Sequence, residues 1–274
     1  MKIEKYKEVA TDVQKNDFGL IFHKASELFY NTLLPEEKGT VTKEMLQPYI
    51  DDSQLLYTFI DKAFMLEYFG QEDGTPQYNG EQLINREVLQ CMLGYLVRMD
   101  AGHAPFYYEG GELPLHFNMQ TTVNDLQISL RIGGRADRLD SKDGTLRIVD
   151  YKTGGKADTP ADVASLFIPD KKRSNYIFQT FLYAAIMSKK QDLKVAPSLL
   201  YIHRAASDSY SPVVCLKEPR KPEIPVTDFS IYEEEFRSHL QTLLTEIFSP
   251  EINFEQTTIE EKCTYCDFKT FCKK

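Results

Sequence analysis

The chain has 274 residues, of which 42% are hydrophobic and 27% charged, and a formal net charge of −9, which is ordinary for a globular protein. No apolar run approaches the roughly 20 residues of a membrane-spanning helix, and the opening stretch "MKIEKYKEVATDVQKND" lacks the apolar region of a secretory signal. These features argue against a membrane or secreted protein and predict a cytoplasmic one.

Positive charge is concentrated in the middle of the chain. Residues 131–204 contain 14 Lys and Arg side chains against 8 Asp, so this segment is basic although the whole chain is acidic. Because a polyanion responds to the local field, a basic centre is compatible with DNA or RNA as a partner. The simpler alternative is a solvated surface of mixed charge, and charge alone does not decide between the two.

The first predicted element is a helix at residues 17–34, "DFGLIFHKASELFYNTLL". Its apolar side chains recur at helical spacing, and Asp17 is placed to cap its N-terminus. His23 and Glu27 are four residues apart, so they share one face of this helix.

Residues 42–104 also have a mostly helical pattern, interrupted by a stretch with Gly and Pro at 70–80. Cys91 lies in the apolar part of this pattern and is predicted to be buried. We therefore predict a helical insertion at 36–106, between the first helix and a sheet.

From about residue 112 the hydrophobic pattern alternates, which is typical of strands. The stretch "SKDG" at 141–144 has the residues of a hairpin turn. The predicted elements are strands at 112–119, 127–140 and 145–153, a helix at 174–190, strands at 197–204 and 211–218, and an amphipathic helix at 230–248.

This order of elements predicts an α/β fold, in which helices cover both faces of a mixed sheet. We predict a single domain over residues 1–274, with the α/β core at 107–248 and a Cys-rich tail at 249–274.

Two carboxylates are predicted to converge at the end of the hairpin. Asp150 and Lys152 alternate with Tyr151 along a strand, so Asp150 and Lys152 share a face while Tyr151 packs on the other. Asp137 lies near the matching end of the neighbouring strand. Paired carboxylates suit a hard cation such as Mg²⁺ or Mn²⁺, and a nearby lysine can orient water and stabilise charge on a phosphate. The alternative is a surface hairpin with cross-strand ion pairs.

Other charged residues near the hairpin have less specific interpretations. Asp140, Lys142 and Asp143 are assigned to turn and surface chemistry. Glu112 is a further candidate metal ligand, but its register with the hairpin cannot be read from the sequence.

The stretches "GRADRLD" and "IVDYKTG" resemble the PD-(D/E)XK nuclease superfamily. Within it, they resemble the branch formed by the nuclease domains of RecB- and AddB-type helicase-nucleases and the related CRISPR adaptation nucleases. The resemblance implies a restriction-endonuclease-like fold. It also implies metal-binding and catalytic roles for Asp137, Asp150 and Lys152. We further predict that Arg135 and Arg138 bind the substrate.

Two further motifs support the resemblance. "GLIFH" supplies Gly19 and His23, which match a family histidine that binds the metal, and "QTFLY" supplies Gln179 and Tyr183, which match a motif of the active site. Each has an alternative explanation. His23 lies among apolar residues and could be a core histidine, and Gln179 and Tyr183 could be a helical packing pair.

The tail "CTYCDFKTFC" contains three cysteines at metal-binding spacing: Cys263, Cys266 and Cys272. In some RecB/AddB-like relatives, three such cysteines join a fourth, far upstream, around a [4Fe–4S] cluster. Residues 1–22 contain no cysteine. We favour the explanation that the chain is a piece of a longer protein, with an incomplete cluster and a loose tail. Alternatively, Cys91 or Cys215 replaces the missing fourth ligand; Cys215 is predicted to lie on a strand.

The combined hypothesis is a metal-dependent deoxyribonuclease using Mg²⁺ or Mn²⁺. The resemblance alone implies exonuclease action on DNA ends or single strands in recombination and repair, with a helicase subunit or domain as a partner. One rival is a catalytically silent DNA-binding or scaffolding module with the same fold. A second is a cysteine-based zinc or redox protein, in which the hairpin would be incidental.

Overall fold

The computed structural model describes residue 13 and residues 15–123, 126–155, 159–170, 174–189, 193–207, 209–253, 255–264 and 266–273. Helices and strands alternate in blocks along these residues. The helices are α1 (Lys15–Leu33), α2 (Lys43–Asp51), α3 (Tyr57–Ala63), α4 (Gly80–His103), α5 (Asn175–Met187), α6 (Ser230–Phe248) and α7 (Glu260–Cys263).

The helix predicted at 17–34 is confirmed, but it begins two residues earlier, at Lys15. Asp17 therefore lies in the first turn of α1 and does not cap it. A carboxylate in the first turn still interacts favourably with the helix dipole. Among the described residues, no helix is both long enough and apolar enough to span a bilayer.

Five strands form one mixed sheet in sequential order. The strands of this sheet are β1 (Gly39–Val41), β2 (Phe106–Val123), β3 (Leu126–Lys142), β4 (Thr145–Lys152) and β5 (Lys194–Tyr201). The first four pair antiparallel, and β5 runs parallel to β4. The parallel pairing requires a crossover, which α5 provides.

The hairpin between β3 and β4 is tighter than predicted. Ser141 and Lys142 still pair with β4, so only Asp143 and Gly144 form the loop. Both have positive φ angles, 49° and 76°. This is the geometry of a two-residue type I′ turn, for which Asp-Gly is a favoured sequence. The short loop fixes the register of the two strands that carry Asp137 and Asp150.

Helices cover both faces of the sheet, as the α/β prediction required. On β4, Val149 and Tyr151 pack into a cluster with α1, α3 and α4. Leu146 and Ile148 pack on the opposite face, in a cluster with α5 and α6. The restriction-endonuclease-like arrangement predicted from the sequence is therefore confirmed, and so is the packing of Tyr151 away from Asp150 and Lys152.

One prediction about a cysteine and one about a strand need correction. Cys91 is exposed on α4 and not buried. The helix carries apolar residues on all of its sides, and several of them, such as Leu83 and Ile84, face solvent. The strand predicted at 211–218 is reduced to β6 (Cys215–Leu216), which pairs with β7 (Ile224–Pro225) in a separate two-stranded sheet. Cys215 does lie on a strand, as predicted.

Candidate active site

The hairpin brings Asp137 and Asp150 together at one end of the sheet. Arg138 pairs with Val149 across β3 and β4, so the same register places Asp137 opposite Asp150. Asp137 Oδ2 accepts a hydrogen bond of 2.6 Å from the backbone N–H of Tyr151. This bond holds the Asp137 carboxylate across the strand that carries Asp150.

Asp150 is buried, with 2% of its surface exposed. Burial and the negative charge of Asp137 raise the pKa of Asp150 to about 7, although Lys152 opposes the shift. Lys152 Nζ lies 2.5 Å from Asp150 Oδ2. Among the described residues, that oxygen has no hydrogen bond of acceptable geometry. A buried carboxylate oxygen of this kind is suited to a cation.

Glu112 reaches the same place from β2. Gly111 pairs with Arg138 and Leu113 with Ala136, so Glu112 lies opposite Asp137 in the sheet. Its backbone has a positive φ of 50°, which is costly for a residue with a side chain and is found at turns and at functional sites. Three neighbouring strands thus each contribute one carboxylate at the same level.

The glycine before Glu112 permits this distortion. A Cβ at Gly111 would lie 2.5 Å from the Tyr108 hydroxyl and 3.4 Å from the backbone oxygen of Asp137. The strand register also shifts between Tyr108 and Gly110. Irregularities of this kind re-aim side chains near active sites. The Gly110-Gly111 pair is the only sequence signal that could have connected Glu112 to the hairpin.

His23 completes the cluster from α1. His23 Nδ1 lies 3.4 Å from Asp137 Oδ1 and 3.6 Å from Glu112 Oε1. Burial lowers the pKa of His23, but its contacts with Asp137 and Glu112 outweigh burial and raise the pKa to about 10. The two carboxylates therefore favour a positive charge at this position, which either a proton on the imidazole or a metal cation can supply.

These side chains fit a divalent cation. Across the described part of the chain, one set of three or more His, Cys, Asp or Glu ligand atoms gathers within 4.8 Å, and it consists of His23, Glu112 and Asp137. Carboxylate oxygens are the ligands preferred by Mg²⁺ and Mn²⁺. The sequence predicted His23, Asp137 and Asp150 as ligands and named Glu112 as a further candidate. The structure brings His23, Glu112 and Asp137 together, and the register of β3 and β4 places Asp150 beside Asp137.

Gln179 and Tyr183 face the site from α5. Gln179 Nε2 donates a 3.0 Å hydrogen bond to the Tyr183 hydroxyl, so the two do form a helical pair. A Cβ at Gly134 would lie 2.5 Å from that hydroxyl, which shows how closely α5 approaches β3. Burial raises the pKa of Tyr183, and the charge of Asp150 adds to the shift.

The two arginines predicted to contact substrate lie in opposite environments. The Arg135 side chain is 66% exposed, and Arg135 Nη1 lies 3.8 Å from Glu112 Oε2. The Arg138 side chain is 1% exposed, and it forms ion pairs with Asp100 at 2.6 Å and Asp140 at 2.7 Å. The predicted substrate-binding role of Arg138 is therefore wrong, because its guanidinium is buried and already bound by carboxylates.

Asp140 also differs from its prediction as a surface residue. It is fully buried and receives hydrogen bonds from both Arg138 and Arg147. Burial raises the pKa of Asp140, but the two arginines outweigh burial and lower it below the ordinary value. Arg138 also bonds to Asp100 and Tyr30. This buried network links β3, directly after Asp137, to α4 and α1.

The three cysteines of the tail do not gather around a common point. Each is half-buried, and they do not form a set with sulfur atoms within 4.8 Å in the described part of the chain. Cys263 ends α7, and the backbone N–H of Cys266 bonds to the Cys263 carbonyl at 3.2 Å. That these cysteines hold only an incomplete cluster remains a prediction from the sequence.

Converging carboxylates that can hold a divalent cation, with a lysine beside them, are the groups that metal-assisted hydrolysis uses. The chain matches the sequence model of the PD-(D/E)XK nuclease superfamily over residues 1–273, and it belongs to that superfamily. Its nucleases are phosphodiesterases that generally use divalent metals such as Mg²⁺ or Mn²⁺. No curated protein matches the sequence.

Proposed function

We propose that the protein is a metal-dependent deoxyribonuclease that hydrolyses phosphodiester bonds. The observation that carries the proposal is the convergence of His23, Glu112 and Asp137 within 4.8 Å, beside the Asp150–Lys152 pair at 2.5 Å. A purely structural hairpin does not need an ionisable residue from each of three strands and a helix at one point. Such a cluster is costly unless a cation offsets the repulsion.

His23, Glu112, Asp137 and Asp150 hold the Mg²⁺ or Mn²⁺ ion in this proposal. The chemistry that the ion supplies when bound is polarisation of the phosphate and a lower pKa for nearby water. Lys152 positions the attacking water and offsets negative charge that develops on the phosphate. Water forms the new bond to phosphorus, and the bond to the leaving oxygen breaks.

Substrate contacts come from residues around this centre. Gln179 is half-buried and bonded to Tyr183, so Tyr183 holds the Gln179 amide in place beside the scissile phosphate. Arg135 is 66% exposed beside Glu112 and binds a backbone phosphate. Contacts of this kind position the strand without reading its sequence.

The proposal extends to DNA ends or single strands as substrates and to recombination and repair beside a helicase subunit or domain. This part depends on the resemblance to RecB- and AddB-type nuclease domains. A comparison of linear and circular DNA, each single- and double-stranded, together with nicked double-stranded circles, tests this part of the proposal. Degradation confined to molecules with free ends supports an exonuclease, whereas cleavage of closed circles contradicts one.

The central experiment measures cleavage of labelled DNA with Mn²⁺ for the wild type, Asp150→Asn and Lys152→Met. We expect both variants to lose activity by at least about 100-fold, the contribution typical of a positioned catalytic group. Asp143→Asn and Lys221→Met serve as matched controls, because both residues are exposed and lie outside the cluster. Equal rates for the wild type and Lys152→Met would overturn the proposal.

The same experiment distinguishes the rival of a silent DNA-binding module. Such a module would bind DNA but cleave it at no rate above the Lys152→Met background. Binding measured in parallel by fluorescence anisotropy therefore separates loss of substrate affinity from loss of chemistry.

A further inference from the structure

An open cavity of about 870 Å³ lies directly beside the candidate active site. It is bounded by α1, α4, the loop after β4 and the first turn of α5. Cavities of this size accommodate drug-sized molecules, so a nucleobase with its sugar fits. The lining residues that matter for its chemistry are Asn16, Phe18, Asn85, Lys152, Thr153 and Tyr176.

The cavity is continuous with the catalytic centre. His23 and Lys152 both line it, and both belong to the site described above. A nucleic-acid strand with one phosphate at Lys152 therefore has a neighbouring nucleotide at the mouth of this cavity. Neighbouring phosphates in an extended strand are separated by only one sugar, so the base of that nucleotide can enter the cavity.

Tyr176 offers this base an aromatic surface. Its side chain is 43% exposed in the first turn of α5. Lys152 Nζ lies 4.5 Å from the centroid of its ring, so the ring is held next to the catalytic lysine. Phe18 lies on α1, which bounds another side of the cavity. Exposed aromatic rings in nucleic-acid channels bind bases by stacking, which tolerates any base.

Polar groups accompany the aromatic ones. Asn16, Asn85 and Thr153 line the cavity, and amide and hydroxyl groups can bond to the edge of a base. Gly154 and Gly155 follow Thr153, and a Cβ at either position would have no heavy atom of the described residues within 4 Å. These two glycines therefore place no side chain at the entrance next to Lys152.

We propose that this cavity binds one unpaired nucleobase next to the scissile phosphate, with Tyr176 as its stacking surface. The proposal deepens the nuclease function and rests on it. A base inside a duplex is already stacked and paired, and taking it out costs free energy. The cavity therefore selects single-stranded nucleic acid, or the frayed end of a duplex, as the substrate class.

A substrate-by-protein cycle tests the proposal. Single-stranded oligonucleotides carry one abasic residue at each position in turn around a single cleavable phosphate. The proteins are the wild type, Tyr176→Ala and Tyr176→Phe, with Tyr107→Ala as the matched control, because Tyr107 is a similarly exposed tyrosine, 41%, that does not line the cavity. Two readouts are measured for each pair: the Kd by anisotropy, and KM and kcat for cleavage.

We expect Tyr176→Ala to raise the Kd and KM for the intact oligonucleotide by about 5- to 160-fold, the range that corresponds to base–aromatic stacking. Tyr176→Phe and Tyr107→Ala should leave both values close to those of the wild type. At the one position whose base contacts Tyr176, an abasic residue should raise the Kd and KM of the wild type by the same factor. It should not raise the values of Tyr176→Ala any further. Such loss of additivity shows that the ring and that base act together.

Additive effects at every abasic position would overturn the base-binding proposal, because Tyr176 would then act without contacting a base. A change in kcat alone would also overturn it and would indicate that the ring only positions Lys152. Coupled binding without any cleavage by the wild type would leave the base site in place and reject the nuclease function. The two proposals therefore fail in different readouts.

Discussion

Replacing Arg138 with methionine should strongly destabilise the fold, because this arginine sits at the centre of a buried charge network. Its guanidinium donates to Asp100 at 2.6 and 3.2 Å and to Asp140 at 2.7 Å. Asp140 would retain two hydrogen bonds from Arg147. Among the described residues, Asp100 would retain only the hydroxyl of Tyr30, so a buried carboxylate would lose its counter-charge.

The magnitude follows from the burial of the pair. Arg138 is 1% and Asp100 3% exposed, so water cannot replace the lost partner. Removing one member of a buried ion pair costs about 3–5 kcal/mol. For a domain of this size, 1 kcal/mol corresponds to about 2–4 °C in Tm. We therefore expect Arg138→Met to lower Tm by about 6–20 °C.

Urea unfolding followed by circular dichroism measures the loss in free energy of unfolding. Arg135→Met is the control on the same strand, and its 66% exposed side chain should contribute less than about 0.5 kcal/mol. The double variant Arg138→Met/Asp100→Leu should recover part of the loss, because it also removes the uncompensated carboxylate. A loss below about 1 kcal/mol for Arg138→Met would refute the reasoning.

Three further predictions concern metal and protons. In metal-free protein, the pKa of His23 is raised to about 10. The stability that this shift contributes is complete below pH 6.5 and is lost as pH rises toward 10. Urea unfolding of the wild type and His23→Gln between pH 7.5 and 10 measures this loss of stability. Glu112→Gln should weaken Mn²⁺ binding by about 10-fold or more in calorimetry, because it removes one ligand. Anaerobically prepared protein should hold no stoichiometric iron and sulfide at Cys263, Cys266 and Cys272, because three thiolates leave a four-iron cluster incomplete.

Each of these has a contradicting result. A constant difference in stability between wild type and His23→Gln across that pH range would show that the histidine binds no extra proton in the fold. The titration of Asp150 lies largely outside that pH range. Its pKa of about 7 makes stability fall with rising pH mainly between pH 4 and 7. Unchanged Mn²⁺ affinity in Glu112→Gln would remove Glu112 from the site, and iron and sulfide in equal, stoichiometric amounts would establish a cluster.

The sequence could predict the parts of the site that depend on local geometry. Alternation along β4 placed Asp150 and Lys152 on one face. The predicted turn brought Asp137 near the matching end of the neighbouring strand, but the pairing of Asp137 with Asp150 depends on the two-residue Asp143-Gly144 loop that the structure shows. The alternation also predicted that Tyr151 packs on the other face. These relations extend over one hairpin, so short-range rules suffice for them.

Long-range relations could not be predicted in the same way. Arg138 is buried because Asp100 and Tyr30 meet it from α4 and α1, and no pattern near Arg138 indicates these partners. Glu112 joins the site through a distorted strand with positive φ. On α4, Ile84 is apolar but 65% exposed. Apolar residues thus occur on more than one side of this helix, and their pattern does not specify which side is buried. The exposure of Cys91 follows from that ambiguity.

Anomalous diffraction from crystals soaked with Mn²⁺ locates the bound ion directly. We expect one or two peaks among His23, Glu112, Asp137 and Asp150, at ligand distances of about 2.0–2.3 Å. Asp137→Asn crystals soaked in the same way should show much weaker peaks. Full occupancy at another place, such as the cysteines of the tail, with no peak beside Asp137, would contradict the assignment of this cluster as the metal centre.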